Sequence, residues 1–332
     1  MKRIFFILIA IFVVGISNAQ NKPYVTFQAE IANRNSDSIY IRTQQKILKL
    51  IKVNKKGVFK DTLKVAEGFY LMYDGKEYTQ MYLKNGYNLK LKLDAKNFDE
   101  TLVYTGFGEK ENNYLAKYTL TDSKFDYDAL LASDEAAFNK TVADKKAADL
   151  ATLQNANLDS NFTALQKKNI ENSLDGLNKK YQMELEIKKL NNTPSPSFNY
   201  ENHAGGISKL EDFKGKYVYI DVWATWCGPC RAEIPHLKRV EEEYKGKNIA
   251  FVSISVDVKK DYEKWKKFVG DKALGGVQLF ADNDWKSDFV RAMKVNGIPR
   301  FIIIDPNGVI VNADAPRPSS PDFGTEMNKL LN

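Results

Sequence analysis

The chain has 332 residues, a net charge of +7 and 43% apolar residues, enough for two or three domains with sizeable cores. That charge is mild, and with no binding motif beside it, it does not argue for a nucleic-acid partner. Two cysteines in all exclude a disulfide framework, and His203 and His236 add too little to argue for zinc.

Lys2 and Arg3 precede an apolar run over 4–16 and then Ser17-Asn18-Ala19, the pattern of a secretory signal peptide spanning residues 1–19. The run is short for a bilayer span, so a retained anchor is the second reading; a lipoprotein anchor is excluded, because no cysteine lies near the cleavage site. Cleavage removes Lys2 and Arg3 and takes the charge from +7 to +5. The expected destination is the periplasm or cell envelope. In such an oxidising compartment, a chain with a single Cys-x-x-Cys pair keeps it to exchange electrons.

Residues 20–107 read as a β-rich domain, with strands over 25–29, 39–42, 58–65, 69–73, 79–83, 89–93 and 102–104. Asp74-Gly75 and Asn85-Gly86 predict hairpin turns. Leu89, Leu91 and Leu93 alternate with Lys90 and Lys92, as in a sheet with one wet face. Residues 47–53 fit helix or strand equally, and the basic stretch over 46–64 reads as the solvated face of a strand pair. The expectation is a small antiparallel β-sandwich without a catalytic cluster.

Residues 108–190 read as helical, with almost no Gly or Pro. Phe162, Leu165, Ile170, Leu174, Leu177, Tyr181, Leu185 and Leu190 form a stripe, with Ser160 available as its cap. Such a stripe is core packing, or more sharply a partner-binding groove. The prolines of 191–197 mark a linker.

From residue 198 onward strands and helices alternate. Strands are expected over 217–222, 249–256 and 277–280, with helices opening at Cys227, around Tyr262 to Val269, and around Trp285 to Met293, the last closed by Gly297. A hairpin crosses Pro306-Asn307-Gly308, and a final helix starts near Ser320-Pro321. That order predicts an α/β sheet covered on both faces.

The pair itself lies in Trp226-Cys227-Gly228-Pro229-Cys230. A thiolate is the attacking species, and the free N–H groups of a first helical turn favour it. Cys227 is expected exposed at the helix tip with Cys230 one turn inside, above an inner stripe of Ala232, Leu237, Val240 and Tyr244. As a structural staple so short a ring contributes only about 2 kcal/mol. Two inert core thiols fit poorly with Gly228, which leaves the sulfur uncovered, and Pro229, which suits a first turn.

Residues 194–332 resemble the TlpA and ResA branch of thioredoxin-like thiol-disulfide oxidoreductases. The resemblance rests on Phe213-Lys214-Gly215-Lys216, on the run from Asp221-Val222-Trp223 through Cys227 and Cys230 to Ile234-Pro235, and on Gly297-Ile298-Pro299. It implies a thioredoxin-like fold over 198–332. Cys227 would be the nucleophile, Cys230 the resolving thiol, Asp221 the buried carboxylate that handles the proton of Cys230, and Pro299 a cis proline facing the disulfide. Trp226, Gly228, Pro229 and Ile298 would meet the substrate. The resemblance further implies protein disulfide or dithiol substrates, a membrane electron donor of the CcdA or DsbD type, a link to cytochrome c biogenesis, and no cofactor or metal beyond the Cys227–Cys230 disulfide. Arg300 departs from the small threonine usual after that proline in thioredoxins, and Gly228 and Thr225 lack the acidic residue that some relatives carry in the motif. The β-rich front resembles the domain often found ahead of exported thioredoxin-like domains in Bacteroidetes. Two further readings stay open: a partner-binding envelope protein with a redox-sensing pair, and a thiol peroxidase.

Overall fold

The structure is a computed structural model and describes residues 22–331; the signal-peptide reading of 1–19 lies outside the described residues. The chain forms two compact units, divided between Leu177 and Asn178.

The first unit opens with seven strands: β1 (Val25–Ala32), β2 (Ser38–Arg42), β3 (Ile47–Lys52), β4 (Val58–Leu63), β5 (Gly68–Tyr73), β6 (Tyr78–Leu83) and β7 (Asn88–Asp94). A short helix α1 (Phe98–Thr101) and β8 (Val103–Phe107) follow. Two four-stranded sheets result, ordered β4-β1-β7-β8 and β3-β2-β5-β6. The strict alternation of buried and outward residues in β1 and β7 is the half-wet pattern read from the leucines. The undecided stretch at 47–53 is a strand, because β2 offers it an antiparallel edge.

Three expectations need correction. Asp74-Gly75 closes the β5/β6 hairpin, but Asn85-Gly86 joins strands of different sheets, its Gly86 N–H donating to the Tyr24 carbonyl. A turn motif reports a chain reversal, not whether the next strand pairs with the last. As a consequence β7 meets β1 in parallel, so the sheets are not wholly antiparallel. The lysine-rich pair β3 and β4 also sits in separate sheets, linked by the Val53/Phe59 bridge and a Lys49–Asp61 ion pair.

Helices α2 (Glu109–Asp122), α3 (Tyr127–Ala132), α4 (Glu135–Asn155) and α5 (Ser160–Lys188) follow. Asp159, not Ser160, caps α5, its carboxylate accepting from the N–H groups of Asn161 and Phe162. Leu165 is exposed and Gln166 is buried in its stead, so the stripe drifts by one position at its start.

The second unit begins inside α5, not at the prolines of 191–197. That stretch ends the helix but is no free linker: Asn192 and Ser195 donate backbone N–H bonds to Ile310 and Gly308 at 2.7 and 2.8 Å. Strands β9 (Asn199–Asn202) and β10 (Ile207–Lys209) come next and were not expected, since they are short and mostly polar and bury only Tyr200. The remaining elements are β11 (Tyr217–Trp223), α6 (Gly228–Glu243), β12 (Ile249–Ser255), α7 (Tyr262–Asp271), β13 (Val277–Phe280), α8 (Asp288–Ala292), β14 (Arg300–Ile304), β15 (Ile310–Asn312) and α9 (Asp322–Leu331). Helix α8 closes at Lys294, which takes φ +53°, rather than at Gly297.

These strands make one sheet ordered β10-β9-β13-β12-β11-β14-β15, with β11, β12 and β13 parallel and β14 antiparallel to β11. Val218, Ile220 and Val222 pack on one face with Trp265 of α7 and Phe289 of α8. Tyr219 packs on the other with Leu237 and Val240 of α6 and Phe323 of α9. Both faces are covered, as a largely parallel sheet requires.

Candidate active site

Strand β11 leaves the sheet at Trp223, and a tight loop carries the chain into α6. Thr225 ties that loop down, donating from its backbone N–H and its hydroxyl to the fully buried Asp257 at 2.9 and 2.8 Å. Cys227 is the N-cap of α6, and Pro229 lies in the first turn, where its missing N–H is harmless. Cys227 and Cys230 form a disulfide with their Cα atoms 5.3 Å apart. The Cys230 N–H donates to Cys227 Sγ at 3.1 Å, so the amide end of the helix is aimed at that sulfur.

Cys227 retains 4% of its surface and Cys230 3%, so the expectation of an exposed Cys227 is corrected. In the bonded form Cys227 Sγ lies 3.8 Å from the Ile298 carbonyl, and the cysteines join the apolar cluster under the loop. The exposed residues around them are Trp226, at 52%, with Gly228 and Pro229. The Ile298–Pro299 bond is cis. Arg300 turns inward, its guanidinium reaching the Ala313 carbonyl and, at 3.2 Å, the Asp314 carboxylate.

Asp221 lies in mid-β11, opposite Ser253 of β12 and Phe301 of β14. Alternation turns it to the α6 face, where it is buried with Oδ1 unpaired among the described residues. Burial pushes its carboxyl up to about 8, assisted by the charges of Glu233 and Glu241 and opposed by the Ser253 hydroxyl. Glu241, on the same helix face three turns beyond Cys230, is raised by burial to about 7, with Lys238 opposing.

Glu233 also corrects the sequence reading: it is buried on the inner face of α6, whereas Ala232 faces outward. The Ser319 hydroxyl and N–H satisfy its carboxylate at 2.7 and 3.1 Å. A charged residue at an inner position breaks the apolar pattern, and only the partner 86 residues away makes the burial tolerable. Asp257, Glu233 and Glu241 were missed as site residues. Counting in helical steps from Cys230 would have reached both glutamates, since positions 3, 7 and 11 along a helix share a face.

The structure thus joins Cys227, Cys230, Asp221, Ile298 and Pro299, drawn from three separate segments, and rims them with Trp226, Gly228 and Pro229. Such a constellation can hold a polarised sulfur beside a second thiol with a buried proton acceptor beneath.

Residues 192–313 match the family model described as the AhpC/TSA family. A thioredoxin from Coprinus comatus is 35% identical over 91 residues, covering 26% of this chain and 83% of that one. The thiol-disulfide oxidoreductase ResA of Oceanobacillus iheyensis is 32% identical over 104 residues, covering 31% of this chain and 50% of that one, so the chain spans half that relative's length. Among solved structures, the thioredoxin domain of a thiol-disulfide oxidoreductase from Bacteroides vulgatus is 29% identical, with a TM-score of 0.39, covering 43% of this chain and 98% of that one. Through its C-terminal part, and on its sequence kinship with a thioredoxin most of whose length it covers, the chain belongs to the thioredoxin family.

Proposed function

We propose that this protein is an exported thiol-disulfide oxidoreductase that reduces disulfides of envelope proteins through Cys227 and Cys230. The observation that carries the reading is the bonded pair at the N-terminus of α6, with the Cys230 N–H directed at the Cys227 sulfur. Those amide dipoles favour the thiolate of Cys227 over its thiol.

In the reduced protein the Cys227 thiolate attacks one sulfur of a substrate disulfide. The substrate S–S bond breaks, a mixed disulfide forms, and the departing thiolate takes a proton from water. Cys230 then passes its proton to the Asp221 carboxylate, and its sulfur attacks Cys227 Sγ. The mixed bond breaks, the second substrate sulfur leaves, and two electrons have moved from the protein to the substrate. Trp226, Gly228 and Pro229 supply the surface a substrate meets, and the backbone of Ile298 beside Pro299 pairs with an extended substrate segment. A membrane donor of the CcdA or DsbD type would return the electrons. The Gly228-Pro229 insert supports the reducing direction, since thioredoxin, with a potential of about −270 mV, shares it.

Reduction of insulin by the purified protein tests the reading: Cys227→Ser is expected to abolish turnover, and unchanged turnover would sink it. A measured potential above that of the compartment reverses the direction. Trapping in cells on Cys230→Ser identifies clients. A thiol peroxidase is the second reading, favoured by the description of the matched family model; it predicts rapid peroxide consumption that depends on Cys227 and exceeds insulin turnover.

A further inference from the structure

Under the disulfide lies a chamber of about 20 Å³ whose walls include Asp221, Trp223, Cys230, Glu241, Ser253 and Gln278. That volume suits a single water. Three of the six buried polar side-chain atoms that have no partner among the described residues belong to these walls: Asp221 Oδ1, Trp223 Nε1 and Gln278 Oε1. A buried polar atom left bare is destabilising, so three around one chamber describe a site built for a hydrogen-bonded occupant.

Glu241 forms the outer part of the wall. Its carboxylate packs against Gly275 and Gly276, where a side chain would collide: a Cβ on Gly275 would lie 2.1 Å from Glu241 Oε2. Two glycines therefore hold open the place that the carboxylate occupies, and the residue is only partly buried. Glu241 thus borders the chamber while remaining partly exposed, whereas Asp221, on the same chamber, is buried.

We propose that Asp221 and Glu241 form a two-carboxylate proton relay, in which a water in this chamber carries the proton released by Cys230 from Asp221 outward to Glu241 and on to solvent. The relay rests on the oxidoreductase reading above. In it, Asp221 loses the proton it took from the Cys230 thiol, the chamber water passes that charge on, and Glu241 releases it. No electrons move in these steps. The raised carboxyls of Asp221 and Glu241, about 8 and about 7, stand close enough for the proton to pass either way near neutrality. The other titratable groups facing the pair are Cys230, Glu233 and Lys238 of α6 and Tyr219 of β11.

Two-phase release of nitrothiobenzoate from its symmetrical aromatic disulfide tests the relay on the reduced full-length protein. The first phase reports attack by Cys227, and the second reports resolution by Cys230. If the first phase is missing, or survives Cys227→Ser, the oxidoreductase reading fails independently of the relay. With that phase intact, Glu241→Gln is expected to leave it unchanged and to slow the second phase about tenfold at pH 7, with the deficit vanishing above about pH 9, where Asp221 is already ionised. Glu241→Asp is expected to recover most of the rate. Gly275→Ala, which displaces the carboxylate without removing it, is expected to reproduce the loss and decides the matter should Glu241→Gln fail to fold. A merely electrostatic Glu241 gives the opposite sign: removing its charge lets Asp221 ionise more readily and speeds the second phase at pH 7. That acceleration, or an unchanged pH profile, overturns the relay.

Discussion

Asp257 accepts from both the backbone N–H and the hydroxyl of Thr225, 32 residues earlier in the chain, and takes a third bond from the Ser255 hydroxyl at 2.7 Å. This carboxylate sets the height of the loop that delivers Cys227 to the helix end. Asp257→Ala leaves those donors bare in a fully buried place and is expected to destabilise the oxidised protein by about 2–4 kcal/mol. Thr225→Val keeps the backbone bond and is expected to lose about half as much. Urea unfolding of both variants measures the ranking, and equal losses would show that the hydroxyl, not the amide, carries the tether.

Asp221 makes stability depend on pH. Its carboxyl stands near 8 when folded and near 3.9 when unfolded, so between those values the folded protein binds the extra proton. Stability therefore falls as pH rises from about 4 to about 8 and levels off above that. Asp221→Asn removes the ionisation. Its gain over the parent is expected to be small at pH 4 and greatest above pH 8, bounded at about 6 kcal/mol by 1.36 kcal/mol per pH unit. Urea midpoints of the oxidised forms at pH 4.5, 7 and 9 check the trend; a gain independent of pH would mean that Asp221 ionises normally in its strand.

Trp226 is half exposed beside the pair, where it contributes little to the core. Trp226→Ala is expected to change stability by less than about 0.5 kcal/mol. It is expected to raise KM for a folded protein disulfide about fivefold, the size of a 1 kcal/mol contact, while leaving attack on a small aromatic disulfide intact. Equal effects on both substrates would assign the tryptophan to the reactivity of the sulfur.

Gly106 in β8 has φ +93°, and a Cβ there would fall 2.2 Å from the Asn88 carbonyl oxygen of the neighbouring strand. Gly57, at φ +77°, has open space around it. Gly106→Ala is expected to destabilise the first unit by about 3 kcal/mol or more and Gly57→Ala by about 1. Denaturant midpoints separate the two, and similar losses would mean that β7 and β8 part easily.

Local features of the site were legible without coordinates. Helix start, proline placement and the i to i+3 spacing of the thiols all lie within a few consecutive residues, so Cys227, Cys230 and the helix after them could be read directly. Asp221 was legible through the family resemblance. Glu241 was not, because it belongs to Glu241-Glu242-Glu243, a run that looks like solvated helix surface until Gly275 and Gly276 are seen to receive one of the three.

Composition and periodicity by themselves determined the closely spaced cysteine pair at a helix start, the alternation of strands and helices after residue 198, and the strand-rich and helical stretches before it, since each of these is written in residues near one another in the chain. Only the tertiary structure decided that Asn85-Gly86 changes sheets, that Cys227 is covered in its bonded form, that Ser319 satisfies Glu233, and that two carboxylates border one water-sized chamber. The physical reason is common to all four. Pairing partners, burial and the raised carboxyls depend on which distant segments pack together, and that packing is settled by the shape of the whole core, to which no short window of sequence has access.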